Sequence, residues 1–246
     1  MSLPFLADTI KNDFRSLQLF KPLGQRASIT NAAQNGVLNL SGDFTMEAWV
    51  KVREESTIDV FDAIISKWSV SGGYSYFFGL YHPGGPYSLS AYISGNGTIT
   101  ENIGYTFTPL PGVWYHLAIT YNSAAAIATE IEFFVNGVSV GNGVAETSDT
   151  GVSTLFNSTS AFVIGGDDNT ISHFNGWIDD VRIWNDIRTA AEIRDNAFTE
   201  LVGNEANLVG YWKFNGDLLD STANANHLTA AGTVLPVFKK DGGIDI

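Results

Sequence analysis

Clustered oxygen-bearing side chains are the first feature with chemical potential. In Gly165-Gly166-Asp167-Asp168-Asn169, two carboxylates and an amide follow a glycine turn. Carboxylate and amide oxygens are the ligands that Ca²⁺ prefers, but Asp and Asn also favour such turns for conformational reasons alone. The sequence therefore predicts that Asp167 and Asp168 either ligate calcium or shape a turn.

Asp179 is a second carboxylate of interest. Strict alternation along its strand would project four side chains to one mostly apolar face: Trp177, Asp179, Val181 and Ile183. A buried carboxylate is costly unless a cation or several hydrogen-bond donors satisfy it. We therefore expect a metal ion or a set of loop amides at Asp179.

Aromatic side chains near a turn form the third feature. Proteins bind sugars with exposed aromatic rings, which stack on the sugar, and with nearby Asp and Asn side chains. Tyr81, His82 and Tyr87 flank a Pro/Gly turn, and the strand pattern leaves Tyr105 equally unexplained. These four residues are predicted to form the ligand-binding face.

The catalytic patterns point away from an enzyme. Glycoside hydrolysis needs two carboxylates facing each other across the scissile bond. The nearest pair is Glu130 and Glu132, whose strand position is most simply that of a solvent-facing polar row. The sequence has no Gly-x-Ser-x-Gly elbow, phosphate loop or His-Glu-x-x-His, and its four histidines are scattered. A non-catalytic protein is therefore predicted.

The elements that must position these residues are strands. Alternation with a period of two dominates residues 37 to 184, with frequent glycine turns. Asn136-Gly137 between two strands predicts a type I′ hairpin, because both positions need positive φ. Thr189 and Glu192 form a capping-box pattern that begins a short helix. The fold class is therefore all-β, an antiparallel β-sandwich with one short helix near residues 190–198.

Composition narrows the classes of partner. The chain of 246 residues carries a formal charge of −13, from 13 basic and 26 acidic residues. Such a surface repels phosphate backbones, so nucleic acid is not expected as a partner. No run of about 18 apolar residues exists, so no membrane insertion is expected. The absence of cysteine excludes disulfides and zinc–thiolate sites, and residues 1–8 lack the pattern of a signal peptide.

Several strings together carry a resemblance to a known family. The strongest are Leu38–Val52, Pro111–Ala118, Phe133–Gly137 and Phe174–Asn185. In this order they resemble the laminin-G-like jelly-roll domain of the concanavalin A-like lectin/glucanase superfamily. The resemblance covers residues 16–237, which leaves 1–15 as a lead-in and 238–246 as a tail. It also places the six tryptophans within the scaffold.

The C-terminal part departs from the family pattern. The segment around Tyr211-Trp212-Lys213-Phe214 resembles one that often begins such a domain, yet here it comes late. Either the domain is circularly shifted, with neighbouring ends, or this is the first strand of a severed second copy. We favour the circular shift, because a lone apolar strand would expose costly surface.

The resemblance also implies a function and a metal. It implies a non-catalytic module, outside the cell or on its surface, that recognises carbohydrate or a glycosylated surface. The alternatives are a structural or adhesion domain for protein–protein assembly, on a cell surface or phage particle, and, third, a glycan hydrolase. In related glucanases an aspartate in the final strand binds structural calcium. Carried over, Asp179 would be the ligand, with the turn at Gly42 and Asp43 as its neighbour.

Overall fold

The computed structural model describes residues 15–53, 61–82, 87–126, 129–145, 151–169 and 172–240. Residues 1–14 of the predicted lead-in and 241–246 of the predicted tail lie outside this description. The strands are β1 (Arg15–Leu19), β2 (Arg26–Ile29), β3 (Phe44–Val52), β4 (Phe61–Ser69), β5 (Gly73–Tyr81), β6 (Ser88–Ile93), β7 (Glu101–Thr106), β8 (Trp114–Tyr121), β9 (Ile131–Val135), β10 (Val138–Gly141), β11 (Val144–Ala145), β12 (Phe162–Ile164), β13 (Gly176–Trp184), β14 (Leu208–Trp212), β15 (Thr229–Ala231) and β16 (Val237–Lys240). A 3-10 helix spans Lys21–Leu23, and the helix α1 spans Ala190–Asn196.

Two antiparallel sheets of eight strands form the sandwich. Sheet A has the order β10-β9-β8-β3-β13-β1-β16, with β14 also paired to β13, and sheet B has the order β11-β7-β6-β5-β4-β12-β2-β15. Strand makes up 44% of the structure. The predicted fold class, an antiparallel β-sandwich with one short helix, is confirmed. In the described part of the chain, no helix has the length and apolar character needed to cross a bilayer.

Alternation along β3 shows how the sequence divides the two faces of sheet A. Phe44, Met46, Ala48 and Val50 are fully buried and belong to the core between the sheets. The residues between them project to the outer face, because successive side chains on a strand point to opposite sides. Trp49, for example, packs there against Trp114 rather than against the core.

The predicted turn and helix signals are also confirmed. Asn136 and Gly137 have φ values of 51° and 74° and connect β9 to β10, as a type I′ hairpin requires. The Thr189 side chain accepts a hydrogen bond from the Glu192 backbone, and the Glu192 side chain accepts one from the Thr189 backbone. This reciprocal pair begins α1, which ends at Asn196, two residues before the furthest end expected.

The prediction of a single face for Trp177 to Ile183 is wrong. Asp180 has a φ of 53°, and the pairing of β13 with β3 shifts between Asp179 and Arg182. This bulge adds a residue and reverses the alternation. Trp177 and Asp179 therefore face outward, whereas Val181 and Ile183 lie in the core.

The first and last described strands are neighbours. β16 pairs with β1 along its length, with Arg15 opposite Lys240 and Gln18 opposite Val237. The sheet thus continues to Lys240, three residues past the expected boundary at 237, while the division into lead-in, domain and tail stays a prediction. The adjacent ends agree with the circularly shifted arrangement.

Candidate functional site

An aromatic cleft opens on the outer face of sheet B. Five ring-bearing side chains line it and define it here: Phe61, Trp68, Tyr74, Phe77 and Tyr92. Its cavity volume is about 290 Å³. The rings form a cluster separate from the core between the sheets, so the sheet buries apolar side chains on both faces.

Neighbouring strands β4, β5 and β6 position the rings of the aromatic cleft. Trp68 lies opposite Tyr74, and Phe77 lies opposite Tyr92. Directly paired residues project to the same face, so four rings meet there. The Trp68 and Tyr74 rings stack with their centroids 4.4 Å apart, whereas Phe77 and Tyr92 meet edge to face at 5.5 Å. The floor is therefore rigid and apolar.

Polar groups from the segment after β12 form one rim of the aromatic cleft. Asp167, Asn169 and Ser172 line it. The Val70 amide donates to Asn169 Oδ1 at 2.8 Å, and the Ala63 amide donates to the Ser172 carbonyl at 3.0 Å. These bonds fix the rim to β4. Asp167 is 1% exposed, so protein atoms enclose nearly all of its side chain.

The predicted ligand residues do not come together at one face. Tyr81 borders the aromatic cleft, because its ring stacks on Phe61 at a centroid distance of 4.7 Å. His82 stacks on Tyr87 at 4.2 Å, but Tyr87 is 8% exposed and belongs to the core. Tyr105 is half-buried and packs against the same core. Tyr87 is therefore enclosed, whereas Tyr105 also lines a separate cavity beside β11, and ligand binding by these residues stays a prediction.

Asp167 and Asp168 have different surroundings. Asp167 lines the aromatic cleft, whereas Asp168 Oδ2 accepts a hydrogen bond of 3.0 Å from the Ala161 amide. The Asp168 amide itself donates to the Trp68 carbonyl at 3.1 Å. These contacts match the conformational alternative, in which the acidic residues shape the turn, and calcium binding there stays a prediction.

Asp179 lies far from the turn predicted to share its metal. It sits opposite Trp49 in the ladder, and Asp43 lies six residues further along the chain, or about 20 Å. One ion cannot contact both, so the pairing of Asp179 with Gly42 and Asp43 is wrong. Asp43 Oδ1 instead accepts hydrogen bonds from the amide and hydroxyl of Ser123, at 2.8 and 2.7 Å.

The immediate partner of Asp179 is a protein amide. Its Oδ1 accepts a 2.9 Å hydrogen bond from the Asp180 backbone, at the bulge, and the residue is 1% exposed. Within the described ranges, no group of three or more His, Cys, Asp or Glu side chains has the arrangement of a metal site. Calcium at Asp179 therefore stays a prediction.

A buried polar cluster lies on the outer face of sheet A, beneath α1. His116 Nε2 is 3.2 Å from Glu47 Oε2, and Trp184 Nε1 donates to Glu47 Oε1 at 2.6 Å. Burial alone would raise the pKa of Glu47, but the contact with His116 and the charge of Arg182 hold that pKa below its usual range. Arg182 also donates to the carbonyl of Asn196 at 3.0 Å. The cluster therefore attaches the helix to the sheet.

Sequence reasoning missed four of the five cleft rings: Phe61, Tyr74, Phe77 and Tyr92. Trp68 was expected to belong to the scaffold. A usable signal exists in β5, where Tyr76 and Phe78 alternate with Phe77 and Tyr81. A strand with aromatic residues on both faces cannot turn both toward one core. Such a strand predicts either a covering layer or a ligand.

The chain is similar in sequence and fold to known proteins. A laminin G family model, described as the concanavalin A-like lectin/glucanases superfamily, matches residues 24–194. Among solved structures, a candidate carbohydrate-binding protein from Bacteroides ovatus ATCC 8483 has a TM-score of 0.62 and 16% identity, over 94% of this chain and 60% of that one. A heptameric SAP-like pentraxin from Limulus polyphemus has a TM-score of 0.59 and 13% identity, over 94% of this chain and 96% of that one. At these identities the likeness shows the fold. No curated protein matches the chain.

Proposed function

The chain belongs to the concanavalin A-like lectin/glucanases superfamily, and from this premise we propose that it is a lectin-like module that binds carbohydrate in the aromatic cleft. The observation that carries the proposal is the cluster of rings beside a fixed polar rim. The Bacteroides ovatus protein, similar in fold, is described as a candidate carbohydrate-binding protein, which is consistent with the same use.

The chemistry of the aromatic cleft matches the two faces of a sugar. A pyranose has an apolar face of C–H groups, which packs on aromatic rings, and an edge of hydroxyl groups, which needs hydrogen-bond partners. The half-buried Trp68 and Tyr74 supply apolar surface, while Asp167, Asn169 and Ser172 supply oxygens and an amide at one side. A sugar lying on the rings would direct its hydroxyls toward that rim.

The aromatic cleft supports binding rather than hydrolysis. Hydrolysis requires two carboxylates about 5–10 Å apart across the bond. Among the described residues that line the cleft, Asp167 supplies the carboxylate, and the other lining side chains are aromatic, hydroxyl, amide or aliphatic. A binding module of this kind would act where glycans are displayed, outside the cell or on its surface.

A specific observation favours a second candidate function, protein–protein assembly. β10 and β11 are edge strands of the two sheets, and they present Val138 at 60% exposure and Val144 at 75% exposure. Edge strands with exposed apolar side chains pair readily with strands of another chain. We therefore retain assembly through this edge as the alternative.

A glycan-array screen tests the proposal, run with calcium and again with chelator. Trp68→Ala should weaken binding about tenfold, because losing one aromatic contact costs about 1.4 kcal/mol. Tyr115→Leu, which removes a half-buried ring from sheet A, is the matched control and should bind as the wild type does. Unchanged binding by a folded Trp68→Ala variant would exclude the aromatic cleft. A blank array, together with self-association that a Val138→Lys variant abolishes, would favour assembly.

A further inference from the structure

A row of aromatic and cationic side chains crosses the outer face of sheet A, on the opposite side of the molecule from the aromatic cleft. Its members are Phe20, Arg53, Trp177, Lys51 and Trp114, here called the basic row. Trp177 lies opposite Lys51, which lies opposite Trp114. Lys51 Nζ is 4.9 and 5.0 Å from the centroids of these two indoles. Arg53 lies 4.6 Å from Trp177 and 5.6 Å from Phe20.

The basic row begins where the helical cover of sheet A ends. Further along the same face, Trp49 is buried because its Nε1 donates to the Ala197 carbonyl at 2.7 Å and Phe198 packs against its ring. Trp177 and Arg53 are half-buried, and Phe20 is 39% exposed. The end of the row formed by Phe20, Arg53 and Trp177 is therefore open, whereas Trp114 at the other end is 6% exposed and covered.

Although the chain carries 26 acidic residues, in the part of it that the structure describes no carboxylate neutralises the Arg53 guanidinium. Its Nε and the side-chain Oδ1 of Asn175 are both buried without a hydrogen bond, and the two residues are joined by the bond from the Arg53 amide to the Asn175 carbonyl, at 2.9 Å. A planar guanidinium held against two rings is suited to a bidentate carboxylate.

We propose that the basic row binds an acidic polysaccharide that carries carboxylate groups. The Trp177 and Phe20 rings would pack against the C–H faces of its sugars, and the Arg53 guanidinium would receive a carboxylate. One receiving cation in a molecule with a net charge of −13 suits a polymer with no more than one charge per sugar. A denser polyanion, such as nucleic acid or a heavily sulfated chain, would meet repulsion from the surrounding surface.

The experiment measures binding of the full chain to polygalacturonate and to its methyl ester, which has the same backbone without the charge. We expect the acid to bind and the ester not to, and binding of the acid to weaken in about 0.5 M NaCl. Arg53→Gln should lower affinity for the acid at least about tenfold, with Arg53→Lys between it and the wild type. Arg194→Gln is the matched control, because Arg194 is exposed on α1 and paired with Asp195.

The possible outcomes separate this proposal from the aromatic cleft. Trp68→Ala should leave polygalacturonate binding unchanged, so the basic row can succeed or fail independently of the proposed function. Equal binding of acid and ester, or wild-type binding by a folded Arg53→Gln variant, overturns the proposal. So does the absence of binding by folded wild-type protein. Tighter binding of dextran sulfate or single-stranded DNA than of polygalacturonate would assign the row to that class instead.

Discussion

At the scale of single residues, Lys67 is an ionisable group enclosed by the protein. It is fully buried, and its ammonium group donates to Asn31 Oδ1 at 2.9 Å and to the carbonyls of Ser160, at 2.8 Å, and Ser158. Burial, only partly offset by the charge of Asp168, lowers the pKa of Lys67 to about 8. Lys67 thus connects β4 to the segment that precedes β12.

This lowered pKa predicts a pH dependence of stability. Between pH 8 and 10.5 the unfolded chain binds the Lys67 proton more fully than the folded chain does, so unfolding becomes less favourable as the pH rises. Relative to Lys67→Met, the wild type should gain on the order of 1–3 kcal/mol in unfolding free energy between pH 7 and pH 10. Urea unfolding of both proteins measures the gain, and Lys213→Met corrects for the loss of one positive charge. A difference that does not vary with pH would contradict the prediction.

Asp179 gives a second prediction at this scale. Because Asp179 accepts a hydrogen bond from the Asp180 amide, Asp179→Ala should cost about 1–3 kcal/mol, the cost of leaving a buried donor unpaired. We expect the same loss of melting temperature in calcium and in chelator. Asp43→Ala, which removes the partner of Ser123, is measured in parallel. A loss at Asp179 that appears only in calcium would restore the metal ion at this residue.

Single residues are also where sequence reasoning was weakest. The outward direction of Trp177 and the inward direction of Val181 depend on one extra residue at Asp180, and Asp does not by itself predict a positive φ. Tyr87 and Trp68 follow the same logic, because an aromatic residue in a strand suits the core and a ligand face equally well. The environment of each ring depends on which strands pair with one another. The residues near the ring in the sequence do not specify that pairing.

At the scale of elements, the β9–β10 hairpin allows the backbone strain of a turn to be separated from its packing against a helix. Gly137 and Gly112 have nearly equal φ values of 74° and 75°. A Cβ at Gly137 would lie 2.8 Å from the Arg194 Cα of α1, whereas one at Gly112 would meet nothing within 4 Å. The two positions therefore share backbone strain but not steric conflict.

Alanine at these two positions separates the two effects. Gly112→Ala should destabilise the fold by about 1 kcal/mol, the usual cost of a left-handed backbone for a residue with a Cβ. Gly137→Ala should cost at least about 1 kcal/mol more, because the hairpin must move away from α1. Equilibrium urea unfolding gives both values. Equal losses would show that the hairpin and helix separate without cost.

Elements were the part of the structure best predicted from the sequence. The alternation from Phe44 to Val50, the Asn136-Gly137 turn and the Thr189 cap are local signals, and each produced the expected element. The order of the strands within each sheet was harder to predict. Only the family resemblance, and not the local sequence pattern, could place β13 between β3 and β1. The aromatic cleft was missed for the same reason, because its rings come from three strands.

At the scale of the whole molecule, the formal charge of −13 lowers the stability of the folded state. Like charges held close together in the folded state repel one another, and salt screens this repulsion. Raising NaCl from about 0.02 to 0.2 M should therefore increase the melting temperature by about 2–4 °C, as expected for about 1 kcal/mol in a chain of this size. Calorimetry at several salt concentrations provides the measurement. A fall in melting temperature would mean that attractive ion pairs dominate.

The pairing of β1 with β16 has a mechanical consequence. In this antiparallel pair, Arg15 stands opposite Lys240, so the flanking chain leaves both strands at the same end of the ladder. Tension applied between the N-terminal end of β1 and the C-terminal end of β16 acts directly on the first hydrogen bonds of the pair. These bonds then break one after another along the ladder. Shearing a ladder would require all of its rungs to break together. A stretched molecule therefore yields first at β16, at low force, and the rest of sheet A bears load only after that strand has peeled away.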